Sequence, residues 1–328
     1  MRRGLFHDEG ENSVFLGMFL LRKVAIARAT MLAVSFLIFV ALEVNVEDVA
    51  VKVLGQYSTV EQRTAWLAQN GYTDPFLFRY IRWLGQFVVG DWGMSTFFRA
   101  PVIEMVIPRL AASALLAGGA LLVIVVFGLG FGVLAGMRAG SLLDRVISVF
   151  SVVTTSIPDF ASAVFLSGIF VFWLGLLPGA STMISGFSLA ELVLPVSVLG
   201  LYSMGYLARV TRASMVEVMN AHYIRTARLK GAGMGRIVLR HALRNALITP
   251  VTVIMLQLPW LLSGVIVVEV FYAYKGFGTL LYDAALNQDI YLIEACAMIS
   301  VLVVVASQVL SDLLYGWLNP RIALGVAA

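Results

Sequence analysis

Apolar runs recur along this 328-residue chain at 29–46, 110–135, 146–176, 192–210, 247–270 and 291–318. Crossing a hydrocarbon layer of about 30 Å takes about 20 residues wound as a helix, because a helix satisfies every peptide N–H and C=O without help from water. The expected fold is therefore all-α and integral to the membrane, with about six transmembrane helices. With 60% hydrophobic and only 13% charged residues, the chain is too apolar for a water-soluble fold.

The polar stretches between the runs fix the expected orientation. Alternate loops fall into two sets, and the set holding both ends, the 137–145 loop and the 209–244 loop carries 16 of the 23 Lys and Arg residues. Positive charge is retained on the cytoplasmic side, so both termini are expected there. Residues 1–28, with Arg2, Arg3, Arg22, Lys23 and Arg28, form a cytoplasmic N-terminal segment ahead of the first span. That span ends in Val44-Asn45-Val46-Glu47-Asp48, not in a small-residue cleavage site, and reads as an uncleaved signal anchor. The apolar patch at 14–21 is too short to cross and is expected to lie along the inner surface. The membrane domain occupies 29–318, with an outer segment at 47–109 of short amphipathic helices and a cytoplasmic segment at 211–246. A cytoplasmic tail follows at 319–328. The tryptophans of the outer segment, Trp66, Trp83 and Trp92, suit a membrane interface.

Several chemistries are excluded by what the sequence lacks. Cys296 has no partner for an intrachain disulfide, and His7, His222 and His241 stand too far apart in sequence for metal-ligand spacing. There is no GxxxxGK[ST] phosphate loop, no Ser/His/Asp set and no carboxylate pair in a credible pocket, so neither ATP hydrolysis nor other catalysis is expected of this chain. The net charge of +4 belongs to loops at a membrane and gives no reason to expect nucleic acid. Gly128-Leu129-Gly130-Phe131-Gly132 reads as a close-packing surface within the second span.

The polar residues inside the spans are candidates for a translocation path. Asp159 follows the helix breaker Pro158 in the third span and, with Ser156, either faces a cavity or caps the next helix at a kink. Gln257 and Ser263 in the fifth span can line the same path, whereas Glu269, Glu294 and Asp312 lie near span ends and are assigned structural roles. Asp91, Trp92, Gly93 and Ser95 read as a turn of the outer segment, with contact to an outer partner as the second reading.

Most distinctive is the segment from Arg209 to Pro250, which holds eight of the 23 basic residues up to Arg244. Ser214 to Lys230 has good helix formers and no proline, and Gly231, Gly233 and Gly235 supply a stop and a turn into a second helix. On one helix, Glu217, Ala221 and Ile224 share a face, with Arg228 a further turn along, and small Ala221 and Ala227 permit close approach by another protein. Physical chemistry alone leaves two readings open, a docking knob or a basic anchor for anionic lipid.

The ordered features Tyr80-Ile81-Arg82-Trp83-Leu84, Gly90-Asp91-Trp92-Gly93-Met94-Ser95, Ile157-Pro158-Asp159-Phe160, Leu194-Pro195, Tyr223 to Gly231, Arg240 to Leu247, Asp312-Leu313-Leu314-Tyr315 and Asn319-Pro320-Arg321 together carry a resemblance. With them, nearly all of the chain after about Glu61 resembles the dipeptide, oligopeptide and nickel permeases of binding-protein-dependent ABC importers. The resemblance implies a type I ABC importer-like transmembrane domain in a bacterial or archaeal cytoplasmic membrane, working by alternating access. It implies a second permease subunit as heterodimer partner, two ATPase subunits, a soluble or lipid-anchored binding protein, and surrounding membrane lipid. No cofactor would be bound by this chain, ATP and magnesium residing on the partner subunits. A coupling helix is implied at Glu217, Ala221, His222, Tyr223, Ala227, Arg228, Lys230 and Gly231, and the outer partner in the second reading of Asp91, Trp92 and Ser95 would be the binding protein. Departures from the family pattern are His222 in place of aspartate, Asn45-Val46-Glu47-Asp48 in place of Pro-Gly-Asp-Pro, and Pro250 one residue late. Peptides are the expected cargo, with nickel chelates or oligosaccharides as alternatives in the same class and an ion-coupled secondary transporter as the rival class.

Overall fold

The computed structural model describes residues 9–43, 46–184 and 186–318; the side chains of 9–21, 23, 258–259, 262–264, 312 and 314–318 lie outside that description. In chain order the helices are α1 (Glu9–Glu43), α2 (Val46–Leu54), α3 (Val60–Gln69), α4 (Phe76–Val89), α5 (Val102–Val123), α6 (Leu129–Met137), α7 (Leu142–Ser156) and α8 (Asp159–Ser167). They continue as α9 (Leu189–Met219), α10 (His222–Leu229), α11 (Met234–Arg236), α12 (Leu243–Ala246), α13 (Ile248–Phe271), α14 (Phe277–Leu286) and α15 (Ile290–Leu318). Single π-helical turns occupy Ile124–Gly128, Gly168–Trp173 and Ile237–Ala242. Among the described residues the only extended pairing is an isolated bridge between Met94 and Pro101.

Four helical stretches are long and apolar enough to cross a membrane unbroken: Val24–Glu43, Val102–Met137, Leu189–Met219 and Ile290–Ser311. Of the other two expected spans, the third is a bent pair, whereas the fifth is the single helix Ile248–Phe271 with a bend just ahead of it. Leu142–Ser156 and Asp159–Trp173 meet at 111°, so the run at 146–176 is not one straight helix. The cause is Pro158, which lacks an N–H and pushes Ile157 into extended backbone, ψ 125°. Met234–Ala246 and Ile248–Gln257 meet at 53°. Pro250 lies in the first turn of α13, where its missing N–H would have had no helical partner.

The chain divides into two units, Met1–Val106 with Asp283–Ala328, and Ile107–Tyr282. In the first, α1 packs on α15 and on α4. The patch at 14–21 is not a separate surface helix: no proline interrupts Glu9–Glu43, and the backbone runs through it as one helix of 35 residues. Phe36, Phe39, Phe76, Tyr80 and Trp83 form a cluster of edge-on and tilted rings between α1 and α4. The outer-segment tryptophans are used for packing inside this unit, Trp66 stacking on Tyr72 and Trp92 on Phe87. The short α3 starts in a capping box made by Thr59 and Gln62.

In the second unit α9 is the central element, touching α6, α7, α8 and α13. The glycine run works as its sequence implied. A Cβ at Gly128 would lie 2.9 Å from Leu207, one at Gly132 2.7 Å from the Ala208 carbonyl oxygen, and one at Gly136 3.0 Å from that of Arg212. Glycines at four-residue intervals thus let two backbones meet, while Gly130, on the other side of the helix, faces open space. Leu116, Ala120, Ile124, Leu199, Leu207 and Val265 fill the adjoining core.

Candidate functional site

The helix expected from Ser214 to Lys230 is two helices. α9 stops at Met219, where the Asn220 N–H bonds back to Val216 and Glu217, and Ala221 turns extended with ψ 147° to start α10. The face expected to join Glu217, Ala221 and Ile224 does not form. Glu217 stays exposed on the last turn of α9, whereas Ile224 is 0% exposed. It inserts among Met215, Met219, Ile237, Val238, Ala242 and Ala246, with Ala227 against the same cluster. This anchored apolar face is what holds α10, only eight residues long and too short to persist alone.

The end of α10 is a Schellman turn. Gly231 has φ +78°, its N–H bonds to Arg228 O at 3.0 Å, and the Ala232 N–H bonds to Ala227 O at 3.2 Å. No atom crowds a Cβ at Gly231, so conformation and not space demands glycine there. Lys230, the C-cap, places its charge where the helix dipole favours it. The Asn245 amide donates to the Tyr223 hydroxyl at 3.0 Å, tying α10 to α12.

The outward surface has a consistent character. His222, Tyr223, Arg225, Thr226, Arg228 and Leu229 on α10 and its C-cap Lys230 are exposed, as are Arg236, Arg240 and Arg244 on the helical segment that follows the turn. Leu229, 82% exposed, gives this basic surface an apolar centre. Such a surface, rigid underneath and cationic with a protruding leucine, can seat in an acidic groove with an apolar floor.

One link that the sequence reading missed supports this motif from behind. Asp144, in the first turn of α7, forms a two-pronged ion pair with Arg212 of α9, including Arg212 Nη2 to Asp144 Oδ2 at 2.7 Å. Asp144 also accepts from the Gly140 N–H at 2.8 Å. The only local signal was Ser141 at the N-cap with an acid three residues later; the partner lies 68 residues away.

The path candidates separate. Ser156 is exposed and bonds its own helix at Val152 O, 2.7 Å. Asp159 is half-buried in the first turn of α8; Pro158, not Asp159, is the N-cap, and no side-chain cap bond forms there. Gln257 is buried and accepts from Ser203 at 3.1 Å, so it joins α13 to α9 and does not face an open path. The Ser263 and Asp312 side chains lie outside the described residues. Sequence reading overlooked Tyr202, stacked on Trp260 at 5.6 Å and partly exposed, beside the Ser203–Gln257 link. Aromatic residues placed away from span ends were the available signal.

Of the outer candidates, Asp91 is exposed and accepts from the Gly93 N–H, and Trp92 donates to Phe87 O at 2.9 Å. Ser95 must be withdrawn as a surface contact. It is 2% exposed, and its hydroxyl bonds Asp289. Glu269 takes the structural role expected, fully buried and bonded to Ser113 and Thr279.

Residues 128–324 match the family described as binding-protein-dependent transport system inner membrane component. The chain is 31% identical to the oligopeptide transport system permease protein AppB of Bacillus subtilis over 94% of its own length and 99% of that protein's. It is 30% identical to the dipeptide transport system permease protein DppB of Escherichia coli K12, over 93% and 98% of the two chains. To the probable peptide ABC transporter permease protein y4tP of Sinorhizobium fredii it is 31% identical, over 94% and 99%. With its apolar helices and its helix-turn-helix inside the matched region, the chain belongs to the family of inner membrane components of binding-protein-dependent transport systems, as a multi-pass membrane protein.

Proposed function

We propose that this chain is one permease subunit of an ATP-driven importer that carries peptides or similarly small solutes inward across the inner membrane. The observation that carries the reading is α10: a short, basic, outward-facing helix held by Ile224 and closed by the Gly231 turn, at the end of the 31-residue helix α9. That arrangement suits a part which receives movement from another protein. Two ATPase subunits supply hydrolysis, with ATP and magnesium bound on them, and Glu217, Ala221, His222, Tyr223, Ala227, Arg228, Lys230 and Gly231 form the coupling surface. Of these, Ala227 acts from beneath, packing against the cluster that holds Ile224. A second permease subunit completes the path, and a soluble or lipid-anchored binding protein delivers cargo to the outer face near Asp91 and Trp92. Peptide as cargo rests on the names of the three relatives.

The test is reconstitution with the candidate permease and ATPase partners, reading transport-linked ATP hydrolysis. Gly231→Pro cannot adopt φ +78° and loses the N–H that bonds Arg228 O, and Glu217→Ala removes the exposed carboxylate beside the joint. Each variant is expected to lower coupled hydrolysis at least tenfold while the chain remains inserted. Unchanged coupling, or transport without any ATPase, would instead favour an ion-coupled secondary transporter.

A further inference from the structure

The first unit contains a cavity of about 330 Å³. Its walls come from the end of α1, the turn after α3, one side of α4, the Asp91–Met94 turn and the start of α15. Three charged side chains inside it are almost wholly buried: Glu43, Arg79 and Glu294 at 6%, 8% and 2% exposure. Arg79 is committed to Glu43, donating to its carboxylate at 2.7 Å and to its carbonyl at 2.8 Å, and its guanidinium lies 4.8 Å from the centre of the Tyr72 ring. Tyr72 donates to the other Glu43 oxygen at 3.0 Å; burial and then the Glu43 charge push its phenol up, which keeps it a donor.

Glu294 has no ion pair of its own: the Arg79 guanidinium acts on it only through space while paired directly with Glu43. Trp83 Nε1 donates to Glu294 Oε2 at 2.9 Å, and Glu294 Oε1 has no hydrogen-bond partner among the described residues. At the rim Arg82 is already paired with Asp74. The lining therefore offers three carboxylates, Glu43, Asp91 and Glu294, against two guanidinium groups that are both taken. An anion would meet repulsion here. A cation would find a carboxylate with no ion pair of its own, and the aromatic side chains of Trp83 and Trp92 beside it.

We propose that this cavity binds the primary ammonium group of a small free solute, with Glu294 as its counter-charge and Trp83 holding that carboxylate in place. The volume falls at the small end of ligand sites, suited to a molecule of one or two amino-acid residues. The inference does not depend on which solute the importer carries.

The full chain in nanodiscs would be titrated with glycinamide and with N-acetylglycinamide, which differ in the ammonium group, using ligand-detected saturation-transfer NMR. Glycinamide should bind at least tenfold more tightly, and Glu294→Gln, which keeps an acceptor for Trp83, should abolish the difference. Equal binding of both probes, no binding of either, or an undiminished preference in a folded Glu294→Gln chain would overturn the assignment. A preference for Nα-acetyl-lysinamide over glycinamide would also overturn it, by pointing to a lysine of a docked protein in place of a free solute. If Glu294→Gln does not fold, Gln86→Lys at the exposed rim asks the same question: a tethered ammonium should weaken glycinamide at least tenfold, and an unchanged affinity would refute the site.

Discussion

Arg79 stands on α4 with its charge turned inward, an orientation that only its partner makes tolerable. The Arg79–Glu43 pair is almost fully enclosed, and Arg79 Nε is left without a hydrogen bond among the described residues. Buried pairs of this kind add little over an apolar replacement, but removal of one member strands the other. Arg79→Ala should therefore cost about 3–5 kcal/mol, whereas the pair replaced together by Met and Leu should recover most of the loss. Thermal unfolding in detergent would show it, and an unchanged melting temperature in the single variant would contradict the account. The sequence displayed Arg79 as one charge among many in a polar segment. Its partner closes an apolar run 36 residues earlier, and nothing local links the two. The second reading of Ser95, as a contact, fails for a similar reason, while its first reading as part of a turn stands: a serine in a Gly-Asp-Trp-Gly turn looks exposed until Asp289, 194 residues later, arrives to bury it.

Among the helices, the contact of α6 with α9 is the one most open to a clean test. A methyl at Gly132 meets the Ala208 carbonyl oxygen, a backbone atom that cannot move aside without shifting α9, while a methyl at Gly130 meets nothing within 4 Å. Gly132→Ala is expected to destabilise by about 1–3 kcal/mol, and Gly130→Ala to be neutral or to stabilise by up to about 1 kcal/mol. Equal melting temperatures for the two variants would show that the backbones are not in contact. This packing was legible because glycine at four-residue spacing has few other uses in a span. The bend at Pro158 was half legible: proline marks where a helix breaks, but its neighbours' packing sets the angle. The break at Asn220–Ala221 was not legible at all, since both residues are tolerated within helices and the cue was the burial of Ile224, a tertiary event.

For the molecule as a whole, the apolar runs predicted the number of crossings well, because span length is imposed by the bilayer and not by packing. They could not show that the third is a bent pair or that a bent segment leads into the fifth. Orientation rests on the loop charges, and it yields its own prediction. Cys296 is buried, so an impermeant maleimide should meet little background in intact cells. Asp91→Cys should label from outside, and Arg228→Cys only after the membrane is opened; labelling of both from outside would reverse or break the topology. Finally, α9 continues for 31 residues, about 46 Å, before the two-residue joint to α10. The two-residue joint does not make it a loose wrist, because Ile224 reaches back across the joint to Met215 and Met219 on the last turns of the rod. A push on α10 therefore has a lever some 31 residues long to act through, with its far end at Leu189.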